Sequence, residues 1–343
     1  AATLSGIVVV PVDTQTPADE IERLIEYVDA RALIAPMETL QSVDEVTSLL
    51  RIDLDSGDKV IGDPAGEGKP GRKMADVEFV EPTVDAQTQA SIIFTSGTRV
   101  DPHGVVLTHG NFVADLVALA EVQPVEASDQ ILSLLPLHHG LEFTGGLLMS
   151  LWAGATTSFI DNLNSRRILE MMTTTGTTAM ITVPRILQLL VDRLSRVEPR
   201  GVHGQSPEAE ALRRLRLIVS GGAPLGGRLF DACVKLGLTV HEGYGLTEAS
   251  PIVTVNPSGR AKRGSVGQAL PGVELRIEGA KALGEAGHVL VRGPNVMAGY
   301  FGRADITATA LADGWLHTGD IGRLDSDGYL FLVGRLKDLI LTG

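Results

Sequence analysis

Short apolar, β-branched runs alternate with stretches of helical period up to about residue 257, and no other feature of the sequence narrows the fold as far. Residues 7–10 read as a strand. Thr16-Pro17 then opens a helix, with Thr16 as N-cap, Pro17 in the first turn and Asp19 placing negative charge at the positive helix end. Ile21, Leu24, Ile25 and Val28 keep the helical period and leave Glu20, Glu22, Arg23 and Glu26 outward. Residues 32–35 are apolar again, so the unit reads β-α-β and implies a parallel sheet covered by helices. The alternation continues as helix over 111–119, strand over 156–160, helix around 168–172 and strand over 179–183. A Pro184-led helix to Leu194, a strand over 215–220, a helix around 230–235 and a strand over 238–241 complete it, and the fold class is α/β.

Beyond Pro257 the texture changes. Val273, Leu275 and Ile277 alternate with Glu274, Arg276 and Glu278, the pattern of a strand with one buried face. Residues 288–292 and 329–333 are further short strands among glycine-rich turns, which marks a β subdomain. Residues 55–72 and 196–210, rich in Gly, Pro and charge, read as solvated linkers.

Bulk properties exclude several functions. At 343 residues, core size is no constraint, and 44% hydrophobic with 21% charged residues is a soluble composition. A formal charge of −13 argues against a nucleic-acid binder, because such affinity rests on basic patches. It leaves ATP open, since a few local donors hold a triphosphate in a negative overall field. Cys233 is the only cysteine, which rules out an intrachain disulfide and fits a reducing, cytoplasmic setting; on a helix it reads as a small core residue. No run reaches transmembrane length and no signal-peptide pattern opens the chain, which leaves at most peripheral membrane contact. The chain starts without methionine, nearly in a strand, and reads as an excised piece of a longer protein.

The chemistry concentrates in the run Ser91-Ile-Ile-Phe-Thr-Ser-Gly-Thr-Arg-Val-Asp-Pro-His-Gly-Val-Val-Leu-Thr-His-Gly-Asn111. A buried strand over 91–94 delivers Thr95, Ser96, Gly97 and Thr98, a loop of hydroxyls and unhindered N–H groups suited to a phosphate. No Gly-Lys-Ser/Thr closes it, so it is not the common nucleotide P-loop. Three further segments follow: Gly243-Tyr-Gly-Leu-Thr-Glu248, Gly314-Trp-Leu-His-Thr-Gly-Asp320 and Asp327-Gly-Tyr-Leu-Phe-Leu-Val-Gly-Arg-Leu-Lys-Asp338. In this order, over residues 6–343, they resemble the acyl-adenylate-forming (AMP-binding) enzymes, and most of all the long-chain fatty acyl-CoA and acyl-carrier-protein synthetases.

The resemblance implies an architecture of two sheets with packed helices over residues 1–257, a distorted β-barrel over 258–336, and a hinge at 337–343 to an absent C-terminal domain. It also implies a reaction. A fatty acid is activated by ATP to acyl-AMP with release of pyrophosphate, then transferred to CoA, with an acyl carrier protein as the alternative acceptor. Bringing two anions together demands cations, N–H donors and positioning. By resemblance, residues 95–98 grip the β- and γ-phosphates, while Gly222, Ala223 and Pro224 lie along adenine and acyl group. Glu242, Gly243, Tyr244 and Gly245 border the nucleotide, with Tyr244 stacking on adenine. Thr247 contacts phosphate and Glu248 holds Mg²⁺; Asp320 receives the ribose hydroxyls and Arg335 adds a ribose or phosphate contact. His139, in Leu135-Pro-Leu-His-His-Gly-Leu-Glu-Phe-Thr-Gly-Gly146, matches the histidine near the substrate carboxylate, and Gly145 and Gly146 leave room for an acyl chain. The sequence departs from the family where Val100 replaces a glycine and His103 the phosphate-facing lysine, with Arg99 and Asp101 close by. These changes put ATP turnover in question and favour, as a rival, an impaired nucleotide- or acyl-binding module.

Overall fold

The alternation of strands and helices resolves into a seven-stranded sheet with Thr156–Phe159 at one edge. Next come Gln130–Ser133, Ala179–Thr182, Leu217–Ser220 and Val240–Gly245, all parallel, and then Ile252–Val255 and Gln268–Ala269, antiparallel. Ala179–Thr182 and Ile252–Val255 are buried at every position, as expected for strands covered on both faces. The covering helices start and stop where their ends are satisfied locally. Ser165–Thr175 opens with the Asn164 side chain accepting the Arg167 N–H and closes at left-handed Gly176; Pro207–Arg214 is capped by the Ser206 hydroxyl. With Pro184–Val197 and Gly227–Lys235 these helices bury Ile168, Met172, Leu187, Leu194 and Cys233 against Leu132 and Met180. Burial pushes the Cys233 thiol up to about 12, so it behaves as the core residue its position implies.

A second core joins parts of the chain far apart in sequence. The hairpin Gln89–Phe94 with Gly104–Thr108 takes on Gly299–Tyr300 as a third strand. Glu274–Glu278, Gly287–Arg292, Leu316–Leu324 and Leu330–Arg335 form an antiparallel sheet of four. Val105, Leu107, Phe112, Val253, Val291 and Leu330 belong to one hydrophobic cluster, so the β part beyond Pro257 packs with the preceding elements.

The chain has two compact units by its internal contacts, Ala1–Pro11 with Val84–Gly343, and Val12–Thr83. The smaller contains helices Ala18–Tyr27 and Met37–Ser42 and a sheet in which Ala32–Ala35 runs parallel to Leu50–Asp53 and Leu50–Asp53 antiparallel to Val60–Ile61. Ile21, Ile25 and Val43 are its core. This computed structural model describes residues 6–43, 50–53, 60–61, 83–95, 103–160 and 162–336. Most of the expected 55–72 linker, the hinge at 337–343 and phosphate-loop residues 96–102 lie outside the described residues.

Three local expectations are corrected. Residues 7–10 form no strand: Val9 alone bridges to Ser91, exchanging backbone bonds with Ala90 and Ile92, while Ile7 is exposed. The first helix starts at Ala18 with Pro17 as N-cap, because the Glu20 and Ile21 N–H groups already reach the Pro17 carbonyl; Thr16 instead closes a turn on Asp13. Residues 196–210 are a packed connection and not a solvated linker. Glu198 is buried and accepts the Ser206 hydroxyl, and Arg213 donates to the Val202 and Gly204 carbonyls at 2.8 and 2.9 Å. Charge in that stretch binds the turn to itself, which composition does not reveal.

Candidate active site

A cavity of about 380 Å³ opens beside the C-terminal ends of the parallel strands. Its floor takes Ala179, Ile181, Val183, Leu217 and Val219 from two strands and their ends, and Leu119 from the His109–Val122 helix. Leu141, Gly145 and Met149, four residues apart, share one face of a helical stretch that includes the π-helical segment Glu142–Leu148. A Cβ on Gly145 would stand 2.7 Å from Ile181 Cδ1, so this glycine keeps the wall thin. The rim is His139, Gly221, Gly222, Gly243, Tyr244, Gly245, Leu246 and Thr247. At Gly245 a Cβ would fall 1.7 Å from the Pro251 carbonyl oxygen, and only glycine fits. No Asp, Glu, Lys or Arg contributes to the lining among the described residues.

Two hydrogen-bonded chains brace the rim. The Tyr244 hydroxyl donates to Asp320 Oδ2 at 2.7 Å, and Arg335 Nε meets Oδ1 at 3.1 Å. Asp320 and Arg335 are register partners on adjacent strands, which brings them together. Burial and then the Asp320 charge push the Tyr244 phenol upward, so it stays a donor. On the other side, Tyr300 donates to Glu248 Oε1 at 2.8 Å and the Met297 N–H to the Glu248 carbonyl at 2.9 Å. The His103 ring packs on Tyr300 with centroids 5.4 Å apart, and the Thr95 N–H donates to the His103 carbonyl at 3.2 Å. Glu248 and the base of the 96–102 loop therefore meet through Tyr300.

The expected site residues separate into three groups. His139, Gly222, Gly243, Tyr244, Gly245 and Thr247 line the cavity, and Asp320, Arg335, Glu248 and Thr95 join it through the contacts above. The His139 ring sits 4.2 Å from that of His138. Ala223 and Pro224 are exposed and absent from the lining; the Glu242 carboxylate is buried and accepts the Leu225 N–H at 2.9 Å, with burial raising its pKa. Ser96, Gly97 and Thr98 lie outside the described residues. Sequence reasoning missed Tyr300, which was legible only as a tyrosine after glycine in the run Gly293-Pro-Asn-Val-Met-Ala-Gly-Tyr300. Away from the cavity, Glu278, His288 and His317 bring donor atoms within 4.8 Å of one another. There His288 Nε2 accepts the Gly319 N–H at 3.0 Å, which orients the turn before Asp320.

Among relatives, the chain is 34% identical to a 2-succinylbenzoate–CoA ligase of Bacillus mycoides (strain KBAB4), over 77% of this chain and 53% of that protein. It is 30% identical to a feruloyl-CoA synthase of Amycolatopsis sp, over 99% of this chain and 65% of that protein. Among solved structures, O-succinylbenzoate coenzyme A synthetase from Bacillus subtilis in complex with AMP matches with a TM-score of 0.79 and 26% identity, covering 100% of this chain and 66% of the other. ATP-bound MatB from Rhodopseudomonas palustris matches with a TM-score of 0.81, 26% identity and the same coverage. The chain thus spans from about half to two thirds of the length of these proteins. Residues 1–301 match the AMP-binding enzyme family. With the fold, the braced rim and these relatives in agreement, the chain belongs to the AMP-binding enzyme family.

Proposed function

We propose that the chain carries the nucleotide and acyl sites of a ligase that activates a fatty acid with ATP to acyl-AMP, releasing pyrophosphate, and passes the acyl group to CoA. The carrying observation is a cavity that runs from the Gly243–Thr247 rim into a floor without a charged side chain. Each methylene buried there contributes about 0.8 kcal/mol, whereas a carboxylate without a partner costs several kcal/mol. The relatives named for succinylbenzoate take an acid with a second carboxyl, and among the described residues of this lining no Lys or Arg would pair with one.

In this reading the Tyr244 ring, fixed by Asp320, is the platform for adenine, and Asp320 with Arg335 faces the ribose. Thr95, Ser96, Gly97, Thr98 and Thr247 serve the phosphates, and His139 positions the reacting carboxylate at the rim. Glu248 suits a hard cation: its hydrogen-bond partner is the neutral Tyr300 hydroxyl, and among the described residues no cation pairs with it. Mg²⁺ held there would neutralise phosphate charge. The functional division at residue 257 and the hinge at 337–343 belong to the same proposal.

The impaired-module reading is favoured by His103 standing where the family's lysine does, against Tyr300. Acid-dependent pyrophosphate–ATP exchange by the intact gene product decides between them, run with fatty, aryl and dicarboxylic acids. Exchange with fatty acids supports the proposal; exchange only with dicarboxylic or aryl acids overturns the substrate class. No exchange with any acid, restored by His103→Lys with Val100→Gly, supports the impaired module. Acyl transfer to a carrier protein and not to CoA would reassign the acceptor.

A further inference from the structure

Three donor side chains away from the cavity share one face of the antiparallel sheet that carries Asp320. Glu278 is the register partner of His288, and His317 is that of Leu290, the next residue on the same face of that strand. The three therefore stand together on adjacent strands. One nitrogen from each ring and one Glu278 oxygen lie within 4.8 Å of one another. His288 Nδ1 faces Glu278 Oε2 at 3.8 Å, and the two rings are tilted by 56° with centroids 5.4 Å apart, so they do not stack. His317 Nε2 is buried and has no hydrogen-bond partner among the described residues. Arg276 lies 3.7 Å from Glu278 Oε1, both side chains being half exposed, which leaves Oε2 to the histidines.

We propose that Glu278, His288 and His317 form a binding site for Zn²⁺, and that filling it releases the turn that carries Asp320. Two imidazoles and a carboxylate suit Zn²⁺ or Co²⁺, whereas Mg²⁺ prefers oxygen donors throughout. Tetrahedral Zn²⁺ with bonds of about 2.0–2.1 Å sets its donors roughly 3.3 Å apart. The His288–Glu278 gap is near that already, and the half-exposed Glu278 side chain has room to close the rest. Water takes the fourth position from the exposed side. The release follows from the His288 tautomer. The Gly319 N–H can only donate, so His288 Nε2 accepts without a proton, and in the neutral ring the proton sits on Nδ1. A cation on Nδ1 sends that proton to solvent and Nε2 takes one up, so the ring's proton count is unchanged. Two N–H groups then oppose each other at Gly319, and their bond is lost. The turn sits at a shift in register, where Leu316–Leu324 bulges between the partners of His288 and Leu290. Its other side-chain tie is Thr318, whose hydroxyl donates to the Val289 carbonyl at 2.7 Å and accepts the Asp320 N–H at 3.0 Å. Asp320 in turn holds the Tyr244 hydroxyl. That loosening Asp320 weakens a nucleotide rests on the function proposed above; the metal site does not.

The test titrates the whole chain. Calorimetry with Zn²⁺ should show a one-to-one site that Mg²⁺ does not fill, and Co²⁺ should give the visible absorption of a tetrahedral complex. His317→Ala removes a ligand and leaves the Gly319 bond alone; His288→Gln removes a ligand and keeps an acceptor for Gly319. Each of these, and Glu278→Gln, should weaken Zn²⁺ at least about ten-fold. Saturating Zn²⁺ should weaken AMP binding by about two- to ten-fold in the parent and leave it unchanged in His317→Ala and His288→Gln. AMP should weaken Zn²⁺ by the same factor. A parent that binds no Zn²⁺, or binding that all three variants retain, overturns the site and leaves an adventitious ion only. Zn²⁺ binding with unchanged AMP affinity overturns the release of the turn. A parent that binds no AMP overturns the nucleotide reading, while the metal titrations still decide the site.

Discussion

The floor of the cavity comes from residues that follow one another at helix or strand period, whereas its rim is closed by side chains meeting across long stretches of chain. Leu141, Gly145 and Met149 are successive steps along one helical face, and Ala179 and Ile181 are alternate residues on one strand. On the rim, Tyr244 reaches Asp320 over 76 residues and Glu248 reaches Tyr300 over 52. The floor acts by lacking charge, so many apolar side chains would serve it. The rim acts through specific donors and acceptors, and each depends on its partner.

If that contrast holds, the largest effect comes from placing charge in the floor. Ile181→Lys should cut exchange with fatty acids at least about a hundred-fold, because an unpaired buried cation costs several kcal/mol. Exchange that survives would mean the acyl chain does not enter this cavity. Next comes the rim. Asp320→Ala leaves the buried Tyr244 hydroxyl without its acceptor and should weaken AMP binding by about ten- to hundred-fold, roughly 1.5–3 kcal/mol, by calorimetry. Fatty acids should still stabilise that variant against melting, and equal loss of both ligands would erase the distinction between floor and rim.

A smaller effect lies behind the floor. Burial raises the Glu142 carboxyl to about 7, only partly opposed by Ser133 and the Leu135 N–H. Its folded pKa exceeds its unfolded one, so its contribution is present below about pH 4.5 and is lost as pH rises through about 7. Glu142→Gln should therefore gain on the order of 1–2 kcal/mol over the parent at pH 8 and little at pH 4.5, read from melting curves. A gain independent of pH would show that the carboxyl does not titrate on the floor's outer side. The smallest effect is at Arg335, which is exposed in its pair with Asp320: Arg335→Gln should cost about 0.2–1 kcal/mol of stability, less in high salt.

What the sequence made legible follows the same division. Strands such as Ala179–Thr182 and helices such as Pro184–Val197 fell where period and proline placed them, since their burial is a local pattern repeated. The Tyr244 turn and Asp320 were legible as motifs, but their hydrogen bond was not, because no local rule pairs residues on different sheets. Tyr300 and Asn295 escaped for the same reason: their partners are far along the chain, and each alone is an ordinary loop residue. Residues 196–210 misled in the opposite direction, since a charged, glycine-rich composition does not say whether the charges meet each other or water.

The third strand of the Gln89–Phe94 hairpin is supplied by Gly299–Tyr300, and Asn111 is tied to Pro294, 183 residues away. During synthesis the hairpin therefore leaves the ribosome with one edge uncovered, and stays so until most of the chain has followed. Closing such long loops before any contact rewards them slows folding and exposes unpaired strand edges to neighbouring chains. The early hairpin and the late strand that covers its edge are thus coupled in folding. A polypeptide ending before Tyr300 would present an open sheet edge, which makes it a candidate for chaperone capture and aggregation.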